Sequence, residues 1–187
     1  MKVLVMYYSV YGTTKKYAEW IAEELNGDIF DIKDVKYEMF TDYDVIISGS
    51  GVYGGDIKGV SLFLKNQESL KDKKLVIFTC GIADPDKAEN VDNINKTIAQ
   101  IVPEDLYRRI NIYCLRGGVT LNKLSFLHKT GMRVLGLMLK IFGVERFGEH
   151  GKDFAEIYGR DVNFVEKKNI EPILEFCRMK MDNIPIG

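Results

Sequence analysis

The chain is poor in the residues that most often build a metal or nucleophilic centre, with three cysteines and two histidines in 187 residues. Cys80, Cys114 and Cys177 are odd in number and lack metal-ligand spacing. They read as reduced thiols in a cytoplasmic protein, and no metal site is expected. His128 and His150 read as solvated or capping side chains. Net charge is also nearly absent, at −1 with a pI near 6.2, which excludes a chain-wide attraction to nucleic acid. There is no internal repeat, low-complexity tract or linker. The opening apolar run reads as a strand rather than a leader, because no cleavage site of small residues follows it.

What is present is globular. Hydrophobic residues make up 46% and charged residues 28%, and residues 1–187 fit one domain with room for a five-stranded sheet. Charge is unevenly spread: residues 80–105 hold six acids against two lysines, and residues 107–152 hold nine Lys/Arg against two Glu. Such a sign change suggests different partners on different faces.

Apolar runs alternate with helical repeats. Residues 2–8 (KVLVMYY), 28–32, 45–48, 75–81 and 111–115 read as strands, and Tyr17, Trp20, Ile21 and Leu25 mark one face of the first helix. Further helices are expected after residue 59, over 88–101, and at the end from Pro172. The pattern implies an α/β fold, a parallel sheet covered on both faces, with ligands beyond the carboxyl ends of its strands.

The first strand runs into Ser9, Val10, Tyr11, Gly12, Thr13 and Thr14 and then into a helix. A hydroxyl-rich loop at a helix N-terminus is suited to an anion. It has no Lys or Arg, so neutral donors would hold a phosphate that stays bound rather than one that is transferred. It is neither a Walker A loop, lacking G-K-[ST], nor a tyrosine-phosphatase loop, lacking Cys and Arg. The plain alternative is a βα turn capped by Thr13 or Thr14. After the third strand come five glycines between Gly49 and Gly59. Gly49, Gly51 and Gly54 spell G-x-G-x-x-G in the wrong context for a nicotinamide fingerprint. The glycines would instead let the backbone approach a flat ligand on which Tyr53 could stack. The alternative is a flexible loop.

These residues resemble the flavodoxin family. Ser9, Gly12 and Thr14 reproduce its S/T-x-x-G-x-T phosphate loop. The resemblance implies a flavodoxin-like three-layer sandwich, strand order 2-1-3-4-5, helices on both faces and FMN as cofactor. It places the flavin ring between Ser50, Val52, Gly55 and their neighbours Gly51, Tyr53 and Gly54, and a second loop of Cys80, Gly81, Ile82, Ala83 and Asp84. Within the superfamily, S-V-Y-G-T-T, the Tyr53–Gly54 pair, the insertion and the tail resemble the menaquinone-dependent protoporphyrinogen IX dehydrogenase family. That implies an oxidoreductase passing electrons through FMN to a quinone. The acidic loop after the fourth strand and the added residues 143–159 depart from it. The alternative is a flavodoxin-type electron carrier serving partner proteins. A phospho-receiver is excluded, because no acceptor Asp ends the third strand.

A helical insertion is expected after the fifth strand, at about residues 116–147. Its core, from Asn122 to Phe142, carries Lys123, Lys129, Arg133 and Lys140 and no acid. Leu124, Leu127, Leu135, Met138 and Phe142 recur at helical spacing. Lys129 and Arg133 oppose a bilayer crossing, so the segment fits a quinone contact or a membrane surface on the inner face. The alternative is that it covers the sheet or a partner subunit. No side chain stands out as an acid–base catalyst, and Cys80 reads as a structural thiol. Tyr11 and Tyr53 are candidates to flank the ring, and Asp56 and Asp84 would lower its potential.

Overall fold

The computed structural model describes residues 1–53 and 56–179, with the main chain alone at Tyr53, Asp56 and His150. In chain order the elements are β1 (Val3–Tyr8), α1 (Thr13–Leu25), β2 (Asp28–Asp31), β3 (Val45–Tyr53) and β4 (Asp56–Ile57). Then come α2 (Val60–Lys65), β5 (Lys74–Gly81), α3 (Ala88–Ile101), α4 (Glu104–Tyr107) and β6 (Ile110–Arg116). The chain continues through β7 (Gly118–Val119), α5 (Phe126–Phe142), α6 (Gly148–Ile157), β8 (Val162–Asn163) and α7 (Glu171–Arg178).

The five long strands pair in parallel in the order β2-β1-β3-β5-β6, which is the expected 2-1-3-4-5. Side chains alternate between the two faces of such a sheet. Val3, Val5, Ile47 and Phe78 meet Tyr17 and Ile21 of α1 and Ile173 and Leu174 of α7 on one face. Leu4, Met6, Ile46 and Ile77 meet Phe63 of α2 and Ile98 of α3 on the other. Both faces are covered, which is why the strands read as unbroken apolar runs rather than alternating ones.

The third strand is longer than its sequence suggests. It extends to Tyr53 and pairs antiparallel with β4, Val52 standing opposite Ile57. Two of the five glycines between Gly49 and Gly59 serve the core rather than a ligand. A Cβ on Gly49 would stand 2.1 Å from the Phe78 ring. Gly59 caps α2 at φ +93°, against Ser48.

Buried Lys74 has a structural task. Its Nζ donates to the carbonyls of Cys177 at 3.0 Å and Phe176 at 3.3 Å, and also to that of Met179. It thereby holds the C-terminal end of α7, where the helix dipole favours a cation.

The insertion is helical, as expected, and most of its apolar stripe is not covered by the sheet. Leu124 is buried just before α5, but within α5 the buried residues are Gly136 and Leu139. Gly136 takes the Tyr158 ring so closely that a Cβ would lie 2.5 Å from it. Leu127, Met138 and Phe142, which belong to the apolar stripe read from the sequence, are exposed. Among the described residues no helix is long and apolar enough to cross a membrane.

Candidate functional site

The carboxyl ends of β1, β3, β5 and β6 lie side by side, with Tyr8 opposite Ser50, Gly51 opposite Cys80 and Gly81 opposite Arg116. The segments beyond them converge. Cys80 Sγ donates to Thr13 Oγ1 at 3.5 Å, and Gly117 N donates to the Gly81 carbonyl at 2.6 Å. A Cβ on Gly117 would fall 2.9 Å from Cys80 Sγ and 3.5 Å from Thr13 Oγ1, so only glycine leaves this junction intact.

The loop from Ser9 to Thr14 wraps the start of α1. Gly12 N donates to Ser9 Oγ at 3.0 Å, and Gly12 takes a left-handed φ of +93° as the helix N-cap. Neither Thr13 nor Thr14 caps the helix, and no side chain does. The first-turn N–H groups are therefore available, at the positive end of the helix dipole. Thr14 is wholly buried, and its Oγ1 has no hydrogen-bond partner among the described residues. A buried hydroxyl without a partner is costly, by about 1–3 kcal/mol, and a bound anion would relieve it. The two lysines that follow Thr14 in the chain are engaged elsewhere, Lys15 with Glu19 at 3.7 Å and Lys16 over the Trp20 ring. Val10 is exposed, while Ser9 and Thr13 are half-buried. The Tyr11 phenol reaches α5, where it hydrogen-bonds with His128 Nδ1 and accepts from Ser125 N.

Of the second group, Ser50, Gly51, Val52 and Tyr53 lie within β3 rather than in a loop. Ser50 is buried and its Oγ donates to the Gly51 carbonyl at 2.9 Å. Gly54, Gly55 and the side chains of Tyr53 and Asp56 lie outside the described residues.

The third group is braced from two sides. Cys80 and Gly81 end β5, and Ile82, Ala83 and Asp84 follow, half-buried. Arg116 donates to the Ile82 carbonyl at 3.2 Å, pairs with Asp84 at 3.5 Å and stacks on Phe164 at 3.8 Å. Asp84 is thus one half of an ion pair rather than the lone negative charge the sequence suggests. From α6, buried Asp153 accepts from Asp84 N at 2.9 Å, Asn90 Nδ2 at 2.7 Å and Lys87 Nζ at 2.6 Å. Burial by itself would push the Asp153 carboxyl up. These donors outweigh it and hold the group below the usual carboxylate range.

Burial raises the Cys80 thiol, opposed in part by the neighbouring Thr13 and Thr14 hydroxyls, and burial likewise raises Cys114 and pushes Cys177 to about 12. None of the three is a ready nucleophile at neutral pH.

Arg116, Gly117, His128 and Asp153 escape sequence reasoning. Arg116 and Gly117 follow an apolar run and could have been flagged as a strand end. Asp153 stands 69 residues from Asp84 and His128 stands 117 from Tyr11, with no local signal linking them.

A family model described as "Flavodoxin domain" matches residues 4–141. Over 83 residues the chain is 37% identical to the uncharacterized protein MJ0298 of Methanocaldococcus jannaschii, covering 43% of this chain and 55% of that protein. The chain therefore spans about half the length of the curated relative it matches. Among solved structures, it is 16% identical to oxidised Flavodoxin 1 from Bacillus cereus, covering 83% of this chain and 98% of that one, with a TM-score of 0.38. It is 18% identical to a WrbA-like flavodoxin from Agrobacterium tumefaciens, covering 74% and 98% of the two chains, with a TM-score of 0.43.

Proposed function

The chain belongs to the flavodoxin domain family, and on that footing we propose that it binds FMN and works as a redox protein. The observation that carries this reading is Thr14, a buried hydroxyl without a described partner at an uncapped helix N-terminus. FMN bound there would supply reversible electron transfer; the chain supplies its grip and surroundings.

The N–H groups of the first turn of α1 and the hydroxyls of Ser9, Thr13 and Thr14 would donate to the phosphate, neutral donors to a dianion. The segment Gly81, Ile82, Ala83 and Asp84, braced by Arg116 and Asp153, would offer its main chain to the ring. Because Arg116 pairs with Asp84, this side would act on the flavin potential as an ion pair rather than as a bare acid.

The finer reading is an oxidoreductase of the menaquinone-dependent protoporphyrinogen IX dehydrogenase type. Its support is the sequence resemblance in the first loop, the insertion and the tail. The purified protein should be yellow, or turn so with added FMN and quench its fluorescence. Colourless protein that leaves FMN fluorescence unchanged would remove the cofactor reading. Oxidation of protoporphyrinogen with menadione as acceptor would support the enzyme. A flavin that turns over only beside a reductase and a partner protein would place the chain with flavodoxin-type carriers instead.

A further inference from the structure

Helix α5 presents to solvent an apolar arc of the kind that packed helices bury. Phe126, Leu127, Leu137 and Ile141 are 84%, 76%, 57% and 63% exposed, and Val134, Met138 and Phe142 are exposed beside them. At 3.6 residues per turn all of these fall in one continuous arc of roughly 160°. Directly beside it, on the Phe126 edge, lies a narrow strip of Lys129, Arg133 and Lys140. None of the three forms an ion pair with a described residue, whereas Lys15, Lys87, Arg116, Lys152 and Lys167 all do.

The positive charge is local. Residues 117–144 contain four Lys/Arg and no acid, which leaves 22 cations against 27 acids in the rest of the chain. A second copy of α5 would bring no acid to meet this strip. An anionic lipid surface answers both halves of the face, acyl chains for the apolar arc and headgroups for the cations. The helix has 17 residues, about 25 Å of length, and carries charge along its middle, so it suits lying in an interface rather than crossing one.

We propose that α5 docks the protein on an anionic bilayer, with Phe126, Leu127, Leu137 and Ile141 among the acyl chains and Lys129, Arg133 and Lys140 at the headgroups. Ser125 and His128, at the start of the helix, are bonded to Tyr11. Tyr11 meets the side of α5 turned away from the apolar arc, so docking by this face leaves the loop from Ser9 to Thr14 behind the helix, one helix diameter (~10 Å) from the lipid. The inference stands on α5 alone and does not require flavin to be bound.

The test is co-sedimentation of the purified full chain with vesicles of phosphatidylcholine alone or with phosphatidylglycerol added, at low and high salt. At about fivefold per cation near the surface, partition onto the anionic vesicles should be roughly a hundredfold stronger, and salt should weaken it. The double variant Arg133→Glu with Lys140→Glu should lose at least roughly 25-fold. Leu137→Glu with Ile141→Glu should also release the protein, with an unchanged circular dichroism spectrum. Wild-type protein that sediments no better with anionic than with zwitterionic vesicles overturns the proposal. So does a dimer in sedimentation velocity that Leu137→Glu dissociates, combined with no vesicle binding; that result assigns the face to a second copy. The lipid and salt comparisons use wild-type protein only, so they decide the matter even if a variant misfolds.

Discussion

Tyr11 and His128 stand 117 residues apart in the chain and meet edge to face, ring centroids 5.6 Å apart at 64°, with the phenol hydrogen-bonded to Nδ1. The same phenol accepts from Ser125 N, the N-cap of α5. A loop from the start of the chain and a helix from its insertion are thus latched together.

Tyr11→Phe removes both hydrogen bonds and keeps the ring. At about 1 kcal/mol for each bond lost, amide exchange in the first turn of α5 should quicken five- to tenfold or more, while the global unfolding midpoint moves little. Unchanged protection at His128 and Lys129 would mean that packing alone holds the helix start.

Thr14→Val should act with opposite signs on two measurements. It replaces an unpartnered buried hydroxyl with a methyl of similar shape, so the flavin-free protein should become as stable as wild type or more so in urea. The affinity for FMN should fall about tenfold, from loss of one donor to the phosphate. An affinity equal to wild type would take Thr14 out of the phosphate site.

Gly12→Ala tests backbone geometry rather than space. A Cβ there meets nothing within 4 Å, but φ is +93°. The substitution should destabilise by about 1–2 kcal/mol, read as a lower urea midpoint at unchanged slope. A smaller change would mean that the loop relaxes to another conformation.

Asp153→Asn weakens the brace on residues 81–87 and should destabilise by about 2 kcal/mol at neutral pH. The carboxyl titrates lower folded than unfolded, so its contribution is complete above the unfolded value of about 3.9 and is lost as pH falls through the lower folded value. The stability gap between wild type and variant should accordingly stay constant from pH 7 to about 5 and close in more acid solution. A gap that persists undiminished well below the unfolded value would show that the charge of Asp153 is not what matters.

The sheet was legible because its strands are fully covered. Leu4, Ile46 and Leu75 on one face and Val5, Ile47 and Val76 on the other leave no polar position to break the run. Helix α3 occupies Ala88–Ile101, as its periodicity implies. The end of β3 was hidden by composition. Ser50 and Gly51 look like loop residues, yet pair with Thr79 and Cys80 of β5. Gly49 reads as flexibility and instead makes room for Phe78. In α5 the spacing of leucines marked an apolar stripe, but periodicity does not say which side a neighbour covers. The covered side turned out to be Gly136 and Leu139, under Tyr158.

By itself the sequence determined the alternation of strand and helix and the glycine turn that opens α1 at Gly12, because strand burial, helical period and left-handed glycine turns act within a few residues. Only the tertiary structure decided that Arg116 neutralises Asp84, that Asp153 anchors the same segment, and that Tyr11 reaches His128. Those pairings join residues 32 to 117 positions apart, and at that range the path of the folded chain, rather than any local preference, decides which side chains come within bonding distance.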